Sequence, residues 1–327
     1  MISYRRSINT DPPALVEVWN DASTARGTYP LRNPSLLERW IFSKTYYCHD
    51  DFVIAVDDDT KRIIGFVLVG FGPDEELGKL NTNIGIVCAV VVRPEYRKRG
   101  VGRELMRGAE EVLKQRGATE IIVGSMWPAN PYLFGLYGGS NSPGILASEP
   151  DAAAFLKAGG YSPAESCLVL QKKLDSPLTV ADTRFGMLRR RYDAQTLRIA
   201  GVPTWWHECV WGQLEPVEIR LIDKLTNMPA ARAVVWELEG FSWKWNHPSA
   251  GILDIQVRPD LRKLGLGKLL LSHVLRFLQD QFFAIAELQV PSNDPAAVGL
   301  CHSLGFDQVD QGFIYRRSVS EEAAPPA

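Results

Sequence analysis

The chain lacks the marks of a membrane or secreted protein. No apolar run approaches the roughly 18 residues that a membrane-spanning helix needs, and Met1-Ile2-Ser3-Tyr4-Arg5-Arg6 opens without the apolar core of a signal peptide. Cysteine is scarce: Cys48, Cys88, Cys167, Cys209 and Cys301 are five in number, dispersed, and include no Cys-x-x-Cys pair. That excludes a disulfide framework and gives no zinc spacing, so no metal is expected. Charge of one sign is also missing. Lys and Arg total 36 against 38 Asp and Glu, for a net charge near −2, which leaves no nucleic-acid footprint. These absences point to a cytoplasmic protein with neither membrane nor nucleic-acid partners. What is present is 327 residues, 46% of them apolar, enough for two cores.

The chain repeats itself. Val90–Leu105 reads Val-Val-Val-Arg-Pro-Glu-Tyr-Arg-Lys-Arg-Gly-Val-Gly-Arg-Glu-Leu, and Ile255–Leu270 reads Ile-Gln-Val-Arg-Pro-Asp-Leu-Arg-Lys-Leu-Gly-Leu-Gly-Lys-Leu-Leu. Arg93/Arg258, Pro94/Pro259, Arg97/Arg262, Gly100/Gly265 and Gly102/Gly267 each lie 165 positions apart. So long a period means a duplicated domain, not a solenoid.

Each copy runs from a β-branched stretch through Arg-Pro into Arg-x-x-Gly-x-Gly and then a helix with one apolar face. That face carries Val101, Leu105 and Ala109 in the first copy, and Leu266, Leu270 and Val274 in the second. Proline forces the chain to leave the strand. The glycines let backbone N–H groups approach a ligand at a helix N-terminus, an arrangement suited to phosphate or pyrophosphate. Arg97, Lys98, Arg99, Arg103, Arg262, Lys263 and Lys268 add matching charge.

Arg97-Lys98-Arg99-Gly100-Val101-Gly102 and Arg262-Lys263-Leu264-Gly265-Leu266-Gly267 resemble the acetyl-CoA-binding signature of the GNAT superfamily of acyl-CoA-dependent N-acyltransferases. Later elements resemble it too. A strand at Glu120–Gly124 or Ala284–Val290 leads to Pro128-Ala129-Asn130 or Pro291-Ser292-Asn293, and a helix follows, closing at Gly160-Tyr161 or Gly305-Phe306. The resemblance implies acetyl-CoA, or another short acyl-CoA, as co-substrate. It would be held by these loops, by backbone at Val90–Val92 and Ile255–Val257, and by Asn130 and Asn293. It also implies direct transfer to a primary amine, carried by a small molecule or peptide, without a covalent intermediate.

The family often places an acid tyrosine four residues before the helix-terminal glycine. Here those positions are Leu156 and Cys301. Substitutes are Tyr137 as proton donor and Asp254 as base, since Asp254 alternates away from Leu253 and Ile255. Cys301-His302 is a poorer choice, because adjacent helical residues point apart. The absent tyrosines keep a non-catalytic acyl-CoA-binding role open beside the transferase.

The expected fold is mixed α/β, with two GNAT-like domains, each a twisted mixed sheet flanked by helices. The first covers 1–174 with an inserted loop at 131–150; a linker at 175–186 follows. The second covers 187–319, and 320–327 is a disordered tail. Helices are expected near Ala14–Asn20, Ser35–Ser43 and Arg184–Ala200. Pro203–Gly212 reads as irregular, and the second domain as trimmed at its front. The inserted loop reads either as an acceptor lid carrying Tyr132 and Tyr137 or as inter-domain packing. Phe241, Trp243 and Trp245 alternate at strand spacing, with Trp205, Trp206, His207 and Trp211 upstream; they suit an inter-domain filling or an aromatic acceptor pocket. The first half, complete and owning the loop, is favoured as catalytic. Oligomeric state is not legible.

Overall fold

Strand exchange between the two halves organises the molecule. The computed structural model describes residues 1–318 except 23–24, 179, 181, 199–202 and 213; the expected tail at 320–327 lies outside the described residues. The strands are β1 (Ile2–Arg6), β2 (Phe52–Asp57), β3 (Arg62–Pro73), β4 (Leu80–Val92), β5 (Glu120–Val123), β6 (Ile145–Leu146) and β7 (Ser162–Lys173) in the first half. In the second they are β8 (Tyr192–Arg198), β9 (Val217–Asp223), β10 (Met228–Glu237), β11 (Ser249–Val257), β12 (Ile285–Pro291) and β13 (Asp307–Ser318). They form one continuous sheet in the order β1-β2-β3-β4-β5-β13-β7-β12-β11-β10-β9-β8, with β6 attached to β13. The sequence suggests two sheets; the chain builds one.

The order reads the same from either end once β1–β5 and β7 are matched with β8–β12 and β13. Each half's last strand lies in the other's territory. β13 sits between β5 and β7, and β7 pairs with β12 and β13. All pairings are antiparallel except β4·β5 and β11·β12. Those parallel pairs need crossovers, supplied by the two motif helices, Val101–Gln115 and Leu266–Asp280.

Each motif helix buries its apolar stripe against its own stretch of sheet. Leu105, Ala109 and Leu113 join one core; Leu266, Leu270 and Val274 join another. The opposite face is shared. There a single core unites Trp40, Tyr132 and Phe134 with Trp206, Trp236 and Phe241.

Three expectations need correction. Arg184–Ala200 is not one helix: Phe185–Arg191 is helical and Tyr192–Arg198 is edge strand β8, pairing with β9 through seven residues. Its Ala, Gln and Arg favour helix weakly, and ladder pairing overrides that preference. Residues 199–200 of that span lie outside the described residues. Trp205–Trp211 is an ordered helix, capped where Thr204 Oγ1 accepts from the His207 N–H at 3.4 Å. Phe241, Trp243 and Trp245 lie on a helix, Glu239–Trp245, closed by Asn246 at φ 56°. Phe241 and Trp245, one turn apart, meet with tilted rings at 5.2 Å, while Trp243 on the other side is 63% exposed.

The inserted loop packs inward. Tyr132, Leu133, Phe134 and Leu136 are buried, Tyr132 donates to Asp51 at 2.6 Å, and Phe134 stacks on Trp236 at 5.1 Å. Of its two readings, inter-domain packing describes these contacts.

Candidate active site

The two glycine loops have nearly the same geometry. Each opens with a short 3-10 turn, Pro94–Tyr96 or Pro259–Leu261. Lys98 and Lys263 follow at φ 60° and 64°, then Gly100 and Gly265 at φ 84° and 95° as helix N-caps. At those last two positions a side chain would be strained, which accounts for glycine. Arg97 and Arg262 turn back onto the strand end, donating to Val92 O at 3.1 Å and Val257 O at 3.3 Å. Sequence reasoning placed these arginines among the phosphate ligands; here they brace the loop. Lys98, Arg99, Arg103 and Lys263 are exposed.

Upstream of each loop the sheet splits. β4 pairs with β5 from Ile84 to Val87, then runs on to Val92 bonded only to β3. β11 pairs with β12 from Ser249 to Ile252, then runs on to Val257 bonded only to β10. A register shift accompanies each split, at Leu68/Val69 and at Arg232/Val234. Bulges of this kind re-aim side chains. Val90–Val92 and Ile255–Val257 thus border two slots, each opening towards its glycine loop.

The slots differ in what faces them on the shared-core side. The matched registers equate Phe52 with Glu218, Ile54 with Arg220, Phe66 with Arg232 and Val91 with Gln256, and the 165-residue offset of the two motifs sets Ala89 against Asp254, which the β11 bulge leaves out of the ladder. The first half is apolar at all five, and Phe52, Ile54, Phe66 and Val91 are buried in the shared core. The second half is polar at all five. Glu218 is forked by Arg220 at 2.6 and 2.8 Å. Arg232 donates to Asp254, and so does Gln256. Asp254 has φ 48°, the mark of its bulge. Burial raises the Asp254 pKa, and Arg232 works against that rise.

An aromatic roof covers this cluster. His207 packs against Trp127 at 4.6 Å and Trp211 at 4.7 Å, and its Nδ1 meets Thr204 Oγ1 at 2.8 Å. Burial lowers the His207 pKa, while Asp254 works against that fall. Trp127 belongs to the first half, and the second half's site is therefore walled by both. Single-sequence reasoning missed Glu218, Arg220 and Arg232; their signal is charge at alternate strand positions, visible once the copies are aligned strand by strand.

Other proposed site residues lie elsewhere. Tyr137 is half-buried, donating to Glu149 Oε1 at 2.8 Å and accepting from Leu146 N–H at 3.1 Å; desolvation beside Glu149 raises its pKa well above the ordinary phenol value. Asn130 is buried, 3.5 Å from Ser142 Oγ, whereas Asn293 is exposed. Among the described residues no cluster of three or more His, Cys, Asp or Glu could hold a metal, and no helix is long and apolar enough to cross a membrane.

The model for the acetyltransferase (GNAT) family matches residues 14–137 and again 203–306. The chain belongs to the GNAT family. It is an acyltransferase carrying two copies of the family's domain, and acetyl-CoA is the family's usual acyl donor. Over 316 residues the chain is 24% identical to a mycothiol acetyltransferase of Rhodococcus opacus (strain B4), covering 91% of this chain and 92% of that one. It is 36% identical to the mycothiol acetyltransferase of Paenarthrobacter aurescens (strain TC1) over 86 residues, 24% of this chain and 27% of that one. The fold is similar to that of a tandem GNAT protein from the clavulanic acid biosynthesis pathway. The TM-score is 0.67 and the identity 15%, covering 99% of this chain and 100% of that one.

Proposed function

We infer that this GNAT protein acetylates a primary amine on a small polar molecule, taking the acetyl group from acetyl-CoA, and that the chemistry runs in the second half. The observation that carries this is the replacement of Phe52, Ile54, Phe66, Ala89 and Val91 by Glu218, Arg220, Arg232, Asp254 and Gln256 at matched positions. An amine must be desolvated, oriented and deprotonated where it meets the thioester. A buried apolar wall offers none of that; a half-buried polar cluster does. The completeness of the first half and its loop, which favour it on sequence, are outweighed because that loop is core.

In this reading the thioester lies along the β11 slot. A backbone N–H at Gln256–Val257 holds its carbonyl oxygen, and Asp254 faces the incoming amine. The amine nitrogen bonds to the acyl carbon and the carbon–sulfur bond breaks. The proton leaving nitrogen passes to Asp254, directly or through water, and the thiolate takes up a proton from solvent. Burial makes Asp254 a stronger base than an ordinary carboxylate. Arg232 and Gln256 fix its orientation, and Tyr137 has a packing role. The first loop holds the same nucleotide without turnover. Mycothiol acetyltransferases among the relatives are consistent with an amine acceptor, and at 24% identity they do not fix which one.

The test is thiol release from acetyl-CoA over an amine panel. Reversing Arg262 and Lys263 to Glu should abolish turnover; reversing Lys98 and Arg99 to Glu should lower CoA stoichiometry while turnover persists. The opposite pattern would put the chemistry in the first half, and no turnover with any amine would leave a binding protein.

A further inference from the structure

The two glycine loops differ in what lies over them. Among the described residues, a Cβ built on Gly100 meets no atom within 4 Å. One built on Gly265 would meet the Arg184 guanidinium, with Cζ at 3.0 Å, Nε at 3.1 Å and Nη1 at 3.3 Å. Arg184 comes from the segment joining the halves. It is gripped by Asp182: Arg184 Nε and Nη2 donate to the carboxylate at 2.8 and 2.7 Å, and the Arg184 N–H donates at 3.0 Å. The same carboxylate lies 3.8 Å from Lys268 Nζ, in the first turn of the second motif helix. A carboxylate beside the lysine of a helix's first turn stands where that terminus attracts an anion. Its pKa is lowered, first by Arg184.

We propose that Asp182 and Arg184 form a built-in plug in which the Asp182 carboxylate stands in for the cofactor's diphosphate at the second glycine loop. The donor enters that slot by displacing the carboxylate, which leaves Lys268 and Arg184 to the phosphates. Among the described residues the first loop has no such cover, and it loads freely. This rests on the reading that the second loop takes CoA, and it adds a gate in the chain connecting the halves. The plugged form binds nothing, so the apparent affinity falls by the open fraction.

The experiment uses the full chain with Arg99→Glu and Arg103→Glu on the exposed first loop, so that the second loop dominates the CoA isotherm. Adding Asp182→Asn should tighten the apparent Kd by about fivefold or more, as expected when a competing closed state is removed. Hydrogen exchange at the Arg184 amide supplies a second readout that needs no further variant. CoA should speed it, because the Asp182 acceptor is drawn away. An unchanged or weaker Kd in the Asp182→Asn protein, or slower Arg184 exchange with CoA, overturns the plug. Failure of the second loop to take CoA, with or without Asp182, removes the plug together with the cofactor reading; binding that Asp182→Asn leaves unaltered removes the plug alone.

Discussion

Arg26 and Glu287, 261 positions apart, meet at 2.6 Å across the junction of the two halves. Glu287 is fully buried on β12, and it also accepts from the Ser140 N–H at 2.7 Å and Gln171 Nε2 at 2.8 Å. Arg26 lies over the Trp245 ring at 4.8 Å. One carboxylate therefore ties together the helical front of the first half, the inserted loop, β7 and β12. Replacing Glu287 with Ala strands those donors and should lower stability by about 3 kcal/mol. Urea unfolding reads it as a lower midpoint, with Glu287→Gln losing less.

The shared sheet predicts the behaviour of fragments. A chain ending at residue 174 exposes one edge of β5 and both edges of β7, which β13 and β12 normally cover, and it opens the common aromatic core. It should associate or aggregate when made alone. Co-expressed with 175–327 it should be recovered as a single heterodimer, which light scattering distinguishes from two independent folded monomers.

Asp254→Asn keeps the shape of the second site and removes its base. The expected loss in kcat is about 100-fold or more, with CoA affinity retained. In the parent protein the base must be ionised, and burial raises its pKa. Activity should therefore fall as pH drops through a value above the ordinary carboxylate range, and Asp254→Asn should abolish that limb. A pH profile of kcat/KM checks both.

The thiols should separate by burial. Cys88, Cys167 and Cys301 are buried, and burial pushes each up to about 12. Only a thiolate reacts quickly. Cys48, exposed, should titrate first with a thiol reagent in the native state; those three should appear only on unfolding. That outcome also disposes of Cys301-His302 as a reactive pair.

The duplication, the motif turns and most first-half strands were legible because they rest on local patterns: β-branched runs, Arg-Pro and glycines at fixed spacing. Gly100 and Gly265 announced their left-handed backbone through residue type alone. The exchange of β7 and β13 was not legible, since both strands would satisfy the same alternation in either sheet. Nor was the helix at Glu239–Trp245, whose period-two aromatics imitate a strand until the Asn246 turn is known. The polar cluster stayed hidden for a different reason. Glu218, Arg232 and Asp254 lie on three strands, and only the register brings them together. Tyr137 looked chemical in sequence and is occupied with Glu149.

Because each copy lends its final strand to the other, the polypeptide between them is not what keeps the halves joined. Cutting the backbone near Ser176 would leave two pieces still laced along β7 and β13. Selection can therefore reshape that stretch without endangering the architecture, which frees it for duties such as guarding a cofactor door.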